Sequence, residues 1–186
     1  MYISTYEELA AFCGRARGFA AVAIDTEFLR ERTYHAKLCL VQVATPEECA
    51  VIDPLAIEDL APLADLMVDV DTLKVFHACS QDMEVLNHAL GVCPTPIFDT
   101  QVAAGFLGER AQCSYHNLVH SFCDVSLPKT ESLTDWSRRP LTPQQVEYAI
   151  DDVRYLIDAY RVIESKLHSL GRTAWVRDEI RPLADP

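Results

Sequence analysis

Apolar residues follow two different spacings along the first half of the chain, and one of them marks short strands. Residues 19–25 are apolar up to Asp25 and are small or β-branched, which is typical of a strand buried on both faces. Similar short runs bounded by turn residues predict further strands at residues 38–44, 49–52, 73–77 and 97–98.

The second spacing is helical, and it alternates with the strands. It predicts helices over residues 60–70, over 80–90 with Ser80 as the start, and over about 100–106. The early strands are separated by gaps of hairpin length, whereas the later ones alternate with helices. We therefore expect an α/β fold with a mixed, five-stranded central sheet flanked by helices.

The second half of the chain is predicted to be mostly helical. Residues 114–122 form one short helix, and residues 124–141 have little periodicity and read as a long, functional loop. The next helix begins with Thr142 as its cap, Pro143 in the first turn and Gln145 reaching back. Its apolar face continues to Gly171, which predicts one long helix.

Composition places the chain among soluble, intracellular proteins of one domain. It has 186 residues, 49% of them hydrophobic and 24% charged, and we find no repeat or linker. No apolar run approaches the ~20 residues of a membrane span, and the N-terminus lacks a secretion signal. Seven cysteines without a CxxC pair favour reduced thiols over disulfides or zinc, so we expect a cytoplasmic protein.

The net charge of −12 opposes tight binding of nucleic acid, which normally requires a basic surface. Basic residues nevertheless cluster in two places, one around residues 30–37 and one around residues 129–139. We therefore expect weak affinity for any polyanionic substrate.

Acidic residues in three segments form the candidate chemistry. Asp25 and Glu27 lie two apart at the predicted end of the first strand, so both carboxylates can face one ion. Two solvated acids at a strand terminus explain this pair equally well. Asp82 lies in the first turn of the helix that Ser80 starts, where a lone aspartate normally stabilises the helix dipole.

The capped helix supplies the remaining candidates. Tyr148 and Asp152 are four residues apart and therefore lie on nearly the same side of the helix. Asp151 is three residues from Tyr148, and periodicity alone leaves the choice between the two aspartates open.

Clustered carboxylates are the ligands that Mg²⁺ and Mn²⁺ prefer. Two such ions about 3.5–4 Å apart can stabilise the attacking and the leaving oxygen of phosphodiester hydrolysis. A nearby phenol can orient the attacking water. The acidic set and one tyrosine would meet these requirements without a histidine or cysteine ligand.

Three segments together resemble the exonuclease motifs of the ribonuclease D family. They are DTEFLRERTYHAKLCLVQVA at 25–44, HACSQDMEVL at 77–86 and SLTDWSRRPLTPQQVEYAIDDVRYL at 132–156, and the similarity extends to GRTAWVRDE at 171–179. That family belongs to the tyrosine-containing branch of the DEDD superfamily of 3′–5′ exonucleases. The resemblance implies a ribonuclease-H-like sheet whose second strand is antiparallel to the others.

The resemblance also implies a role for each motif residue. Asp25 would bridge two divalent cations, Mg²⁺ or Mn²⁺, while Glu27 and Asp152 hold the cation on the nucleophile side. Asp82 would support the leaving-group side through water, and Tyr148 would orient the attacking water. The family's Tyr-x-x-x-Asp pattern thus selects Asp152. The family usually carries C-terminal helical nucleic-acid-binding domains, and we expect residues 1–186 to be a single exonuclease domain without them.

Other residues are candidates for substrate binding. Phe28 follows the first motif and is expected to stack on the terminal nucleotide or to pack in the core. His77 is a candidate phosphate contact, with a structural role as the commoner alternative. Lys129, Arg138 and Arg139 are expected to hold the phosphate backbone, with a solvated surface as the alternative. Trp136 is interpreted as the anchor of their loop, with a platform for a base as the alternative.

The leading functional hypothesis is a metal-dependent 3′–5′ exoribonuclease that releases nucleoside 5′-monophosphates from single-stranded RNA. A DNA exonuclease of the same superfamily is the first alternative, since contacts to a 2′-hydroxyl cannot be located from sequence. A catalytically silent RNA-binding scaffold is the second, because a fold does not imply a function. No membrane is expected to take part, and protein partners are not identified by the sequence.

Overall fold

A mixed β-sheet forms the centre of the fold, which we describe from a computed structural model for residues 1–30, 35–128 and 134–184. Within these residues the strands are β1 (Tyr2–Ile3), β2 (Ala21–Leu29), β3 (Lys37–Ala44), β4 (Cys49–Ile52), β5 (Leu73–Phe76) and β6 (Ile97–Asp99). Their order across the sheet is β1-β4-β3-β2-β5-β6. Strand β3 is antiparallel to both of its neighbours, and the other described pairs are parallel.

The predicted α/β architecture is confirmed, including the antiparallel direction of the second predicted strand. The predicted number of five strands is wrong, because β1 adds a sixth strand at the edge of the described sheet. It consists of two residues that pair with Val51 and Ile52 of β4. A two-residue strand shows no periodicity, so only its pairing identifies it.

Helices cover both faces of the sheet. One face packs against α1 (Tyr6–Ala16), α2 (Ala61–Val68) and α3 (Ser80–Leu90). The other face packs against α4 (Thr100–Gly105), α5 (Tyr115–Cys123), α6 (Pro143–Arg154), α7 (Leu156–Ser169) and α8 (Thr173–Ile180), and α8 leads into a 3₁₀ turn at Arg181–Ala184. Among the described helices, none has the length and apolar character needed to cross a bilayer.

Strand β2 is longer than its apolar run predicts. Asp25 and Glu27 lie inside the strand rather than at its end, and they pair with Gln42 and Leu40 of β3. The prediction failed because the sheet continues through the acidic residues, whose hydrogen bonds to β3 do not depend on side-chain polarity. A register shift follows between Glu27 and Phe28, and such bulges often lie next to active sites.

The long helix predicted from Thr142 to Gly171 is two helices, α6 and α7, that meet at Tyr155. The predicted capping box at Thr142 and Gln145 is confirmed. At the junction, the backbone N–H of Tyr155 donates to the hydroxyl oxygen of Tyr115 at 3.3 Å. The apolar pattern hid this break because both helices bury a face against the same side of the sheet.

Helix α3 begins at Ser80, as predicted, and the turn before it is held by Asp99. Its N-cap is Cys79, and Ser80 is the first helical residue, with no capping hydrogen bond from a side chain. The carboxylate of Asp99 instead accepts hydrogen bonds from the backbone N–H groups of Ala78 and Cys79, at 3.2 and 2.8 Å. Strand β6 therefore fixes the start of the helix that carries Asp82.

Candidate active site

Three carboxylates from two elements meet at the face of the sheet that α6 covers. Asp25 and Glu27 project from the same face of β2 because they are two residues apart in an extended strand. Asp152 comes from the second half of α6. One oxygen from each of these carboxylates lies within 4.8 Å of the other two.

The neighbouring aspartate on α6 takes no part in this cluster. Asp151 forms an ion pair with Arg154 at 3.0 Å, and its side chain is 19% exposed. The choice that periodicity left open is therefore decided by the rotation of α6, which turns Asp152 toward the sheet and Asp151 toward Arg154.

The cluster opens into a cavity of about 210 Å³. Its lining residues are Asp25, Glu27, His77, Tyr115, Tyr148, Asp152 and Leu156. Tyr148 precedes Asp152 by one helical turn, so the phenol and the carboxylate enter the cavity from the same side of α6.

The structure does not bring Asp82 into the group of three carboxylates. The Asp82 side chain is buried in the first turn of α3, where its Oδ1 accepts a hydrogen bond from the hydroxyl of Thr26. Its charge nevertheless contributes to raising the pKa of both Asp25 and Glu27. Asp82 is thus an electrostatic neighbour of the cluster.

Burial and mutual repulsion make it costly to ionise these carboxyl groups together. Burial is the main cause that raises the pKa of Glu27 to about 8, followed by the charges of Asp152 and Asp82. Burial likewise raises the pKa of Asp152 to about 7 and that of Asp82 to about 6. The pKa of Asp25 is raised well above its ordinary value by burial and by its three acidic neighbours.

The donor set fits a divalent cation of the Mg²⁺ or Mn²⁺ type. These ions take hard oxygen ligands, and carboxylate oxygens are what the cluster offers. A cation would also compensate the repulsion that opposes ionisation, so its binding is coupled to proton release. An acidic cluster of this kind is poorly stabilised without such a countercharge.

Tyr148 stays a phenol at neutral pH. Burial raises its pKa, and the charges of Asp152, Glu27 and Asp25 act in the same direction. Its ring lies 5.9 Å from the ring of Trp136, centroid to centroid. The hydroxyl can therefore donate a hydrogen bond, and the loop containing Trp136 supports its ring.

His77 is held on both sides by the fold. Nδ1 lies 3.0 Å from the hydroxyl oxygen of Thr100, and Nε2 lies 3.0 Å from the carbonyl oxygen of Cys113. Burial lowers the pKa of His77, which favours the neutral ring. The ring lines the cavity, but its nitrogens are occupied, and this favours the structural role over a phosphate contact.

The remaining substrate-binding candidates lie in different surroundings. Phe28 is partly buried against the core on the opposite face of the sheet, which favours core packing. Arg138 is 83% exposed and pairs with Asp135. Lys129 lies outside the described residues.

Arg139 is a structural clamp, contrary to the predicted phosphate contact. Its Nε and Nη2 donate to the two carboxylate oxygens of Asp53, at 2.6 and 2.7 Å. The remaining N–H groups donate to the carbonyl oxygens of Trp136, Arg138 and Cys39. All five donors of the guanidinium are therefore used, and none is left for a phosphate.

Two cavity residues were not predicted from the sequence. Tyr115 is the first residue of α5, after the N-cap Ser114, and Leu156 is the first residue of α7. The Ser114 cap is readable in the sequence, but nothing there shows that the first turn of α5 faces the α6–α7 junction.

Comparison with known proteins identifies relatives along nearly the whole chain. A family model described as 3′-5′ exonuclease matches residues 1–168. A ribonuclease D of Nitrobacter hamburgensis is 47% identical over 185 residues, which cover 99% of this chain and 48% of that protein.

Solved structures agree with the sequence matches. The crystal structure of Escherichia coli RNase D, described as an exoribonuclease involved in structured RNA processing, has a TM-score of 0.95 and 39% identity. The match covers 99% of this chain and 49% of the Escherichia coli RNase D chain. The predicted ribonuclease-H-like fold is thereby confirmed.

A second structural relative is NrnC of Brucella melitensis. Its structures with bound Mg²⁺ and with pGG are 29% and 30% identical to this chain, with TM-scores of 0.83 and 0.84. Each match covers 98% of this chain and 88% of the NrnC chain. In contrast, the chain spans about half the length of the ribonuclease D proteins that it matches.

Proposed function

This chain belongs to the family of 3′–5′ exonucleases, and on that premise we propose that it is a metal-dependent 3′–5′ exoribonuclease. It would release nucleoside 5′-monophosphates from single-stranded RNA ends, such as those of tRNA precursors. The observation that carries the proposal is the group of Asp25, Glu27 and Asp152, whose oxygens lie within 4.8 Å of one another beside Tyr148. Similarity to ribonuclease D proteins supports RNA as the substrate.

Each residue of the site is assigned a separate role in hydrolysis. Asp25 would bridge two Mg²⁺ or Mn²⁺ ions, with Glu27 and Asp152 holding the ion on the nucleophile side. Asp82 would support the leaving-group side through water. These ions, when bound, supply charge neutralisation at the phosphate and activation of the attacking water. The Tyr148 phenol orients that water by donating a hydrogen bond, because its raised pKa keeps it protonated.

The proposal is tested with purified protein and two 5′-labelled single strands, one RNA and one DNA, of the same sequence. Each is incubated with Mn²⁺, Mg²⁺ or EDTA. We expect a ladder that shortens from the 3′ end of the RNA with metal and no shortening in EDTA. Chromatography should identify the released product as nucleoside 5′-monophosphate.

Matched variants separate the site from the general stability of α6. Asp152→Asn and Asp25→Asn should abolish shortening. Asp151→Asn is the control, because Asp151 lies one residue away and pairs with Arg154 outside the cluster. It should keep the activity of the wild type.

Each alternative function has its own outcome in this assay. Shortening of DNA in preference to RNA would replace the proposal with a DNA exonuclease. Metal-independent binding of RNA without shortening of either polymer would indicate a catalytically silent scaffold. Equal activity in Asp152→Asn and wild type would show that the chemistry lies elsewhere.

A further inference from the structure

Gln42 is a buried polar residue in the centre of the sheet. It lies in β3 and its relative exposure is 0%. Neither its amide nitrogen nor its amide oxygen has a hydrogen-bond partner among the described residues. An amide buried in this way costs roughly 1–3 kcal/mol, and most buried polar groups in native proteins have partners. A core position of this kind would ordinarily hold an apolar residue.

The strand register places Gln42 directly opposite Asp25. The two residues are partners in the antiparallel pairing of β2 with β3. Directly paired residues point to the same face of a sheet, with Cβ atoms roughly 4.5–5.5 Å apart. Gln42 therefore extends from the face that carries the acidic cluster, beneath α6.

The neighbours of Gln42 in β3 and β4 offer no side-chain partner on this face. Its partner on the β4 side is Val51, and two residues away along β3 are Leu40 and Ala44. All of these side chains are apolar. Within the described sheet, the nearest polar side chain by register is the carboxylate of Asp25.

We infer that Gln42 is a positioning residue for Asp25: its amide N–H donates to the Asp25 carboxylate through one bridging water. This inference rests on the proposed function of the cluster. A carboxylate has about four lone-pair sites, so one hydrogen bond leaves sites for cations. The hydrogen bond fixes the orientation of the carboxylate that is assigned to bridge them.

The neutral amide suits this task better than a charged side chain. A lysine or arginine opposite Asp25 would form an ion pair with it and compete with a cation. Glutamine orients the carboxylate and leaves its charge available. This accounts for a buried amide at a position where the other interior side chains of β3 are apolar or cysteine.

The test replaces Gln42 with methionine, which has a similar length and no amide. Mn²⁺ binding is measured by calorimetry without RNA, and kcat and KM are measured separately on labelled RNA. Loss of a residue that orients a metal ligand typically costs 10–100-fold in metal affinity or activity. We expect Gln42→Met to bind Mn²⁺ about 10-fold more weakly or worse, with kcat reduced and KM unchanged. The melting temperature of Gln42→Met is measured in EDTA as well, so that a loss of Mn²⁺ affinity is distinguished from a loss of folded protein.

Val51→Ala is the matched control, since Val51 pairs with Gln42 on the side away from Asp25. It should lower the melting temperature by removing buried apolar atoms and leave Mn²⁺ affinity unchanged. Gln42→Leu provides a second apolar variant with the same expected loss of affinity. Gln42→Asn keeps an amide, and recovery of part of the Mn²⁺ affinity there would support the role of the N–H group.

The outcomes separate this inference from the proposed function. Wild-type affinity and kcat in both Gln42→Met and Gln42→Leu would overturn the positioning role and leave the metal site intact. Equal losses of Mn²⁺ affinity in Gln42→Met and Val51→Ala would reduce Gln42 to a packing residue. A wild-type protein that binds no Mn²⁺ would refute the proposed metal site itself.

Discussion

Replacement of Arg139 by alanine is expected to destabilise the fold by about 3 kcal/mol, because it breaks a largely buried ion pair. The Asp53 side chain is 2% exposed, and that of Arg139 is 24% exposed. Burial opposes ionisation of Asp53, but hydrogen bonds from Arg139 and Tyr2 outweigh it and hold the pKa of the carboxyl below its ordinary value. Without Arg139, the Asp53 carboxylate loses its countercharge.

The magnitude follows from how the pair is buried. Removing one partner of a fully buried ion pair costs roughly 3–5 kcal/mol. The partial exposure of Arg139 favours the lower end of that range. Three backbone carbonyl oxygens also lose their donor, including that of Trp136, which supports Tyr148. The loop is then expected to loosen next to the active site.

Urea denaturation in EDTA measures this loss, and Arg138→Ala is the control. Arg138 is the adjacent arginine, is 83% exposed and pairs with Asp135 on the surface, so its loss should cost roughly 0–1 kcal/mol. With an m-value of about 1–3 kcal/mol/M, the Arg139→Ala midpoint should fall by roughly 1–3 M.

A phosphate-binding role for Arg139 makes the opposite prediction. Arg139→Ala would then keep the free energy of unfolding of the wild type and raise KM for RNA. A loss of stability below about 1 kcal/mol, no greater than that of an exposed pair, would refute the clamp.

Three further predictions concern the site and the sheet. In EDTA, the melting temperature should fall as pH rises from about 5 to 8, because burial and repulsion raise the pKa of Glu27 to about 8 and burial chiefly raises that of Asp152 to about 7. The protonated carboxyl groups contribute their full stability below the unfolded pKa values of about 4. This stability is lost as the pH rises through the folded pKa values, up to about pH 8. A melting temperature that does not change with pH would contradict the raised pKa values. Tyr148→Phe should lower kcat on RNA about 100-fold while calorimetry shows unchanged Mn²⁺ affinity, whereas an unaltered kcat would exclude a role for the hydroxyl. Lys74→Met should cost roughly 3 kcal/mol in urea denaturation, because the buried ammonium donates to three backbone carbonyl oxygens, and a neutral result would show that these carbonyls find other partners.

Strands and helices with strong local signals were predictable from the sequence. The predicted strand at 49–52 is β4, and the predicted strand at 38–44 differs from β3 by one residue. The capping box at Thr142 also formed as predicted. Each of these signals lies within a few residues of sequence, so it does not depend on the rest of the fold.

Features that depend on distant contacts were missed or misread. Strand β1 exists through its pairing with β4, some fifty residues away. At the junction between α6 and α7, the backbone N–H of Tyr155 donates to the hydroxyl oxygen of Tyr115, forty residues earlier in the sequence. The sequence groups Arg139 with Lys129 and Arg138 in a long loop, which favours a substrate contact, whereas its ion-pair partner Asp53 is 86 residues away. Periodicity contains no information about such partners.

The sequence by itself determined which groups are available for chemistry at this site. It supplied two carboxylates on one strand face, a tyrosine and an aspartate one helical turn apart, and motifs that resemble ribonuclease D. Tertiary structure decided which groups meet. The packing of α6 across β2 turns Asp152 rather than Asp151 to Asp25 and Glu27, and the β2–β3 register sets Gln42 opposite Asp25. Local spacing defines the face on which a side chain lies, whereas the register and rotation of packed elements define what that face meets.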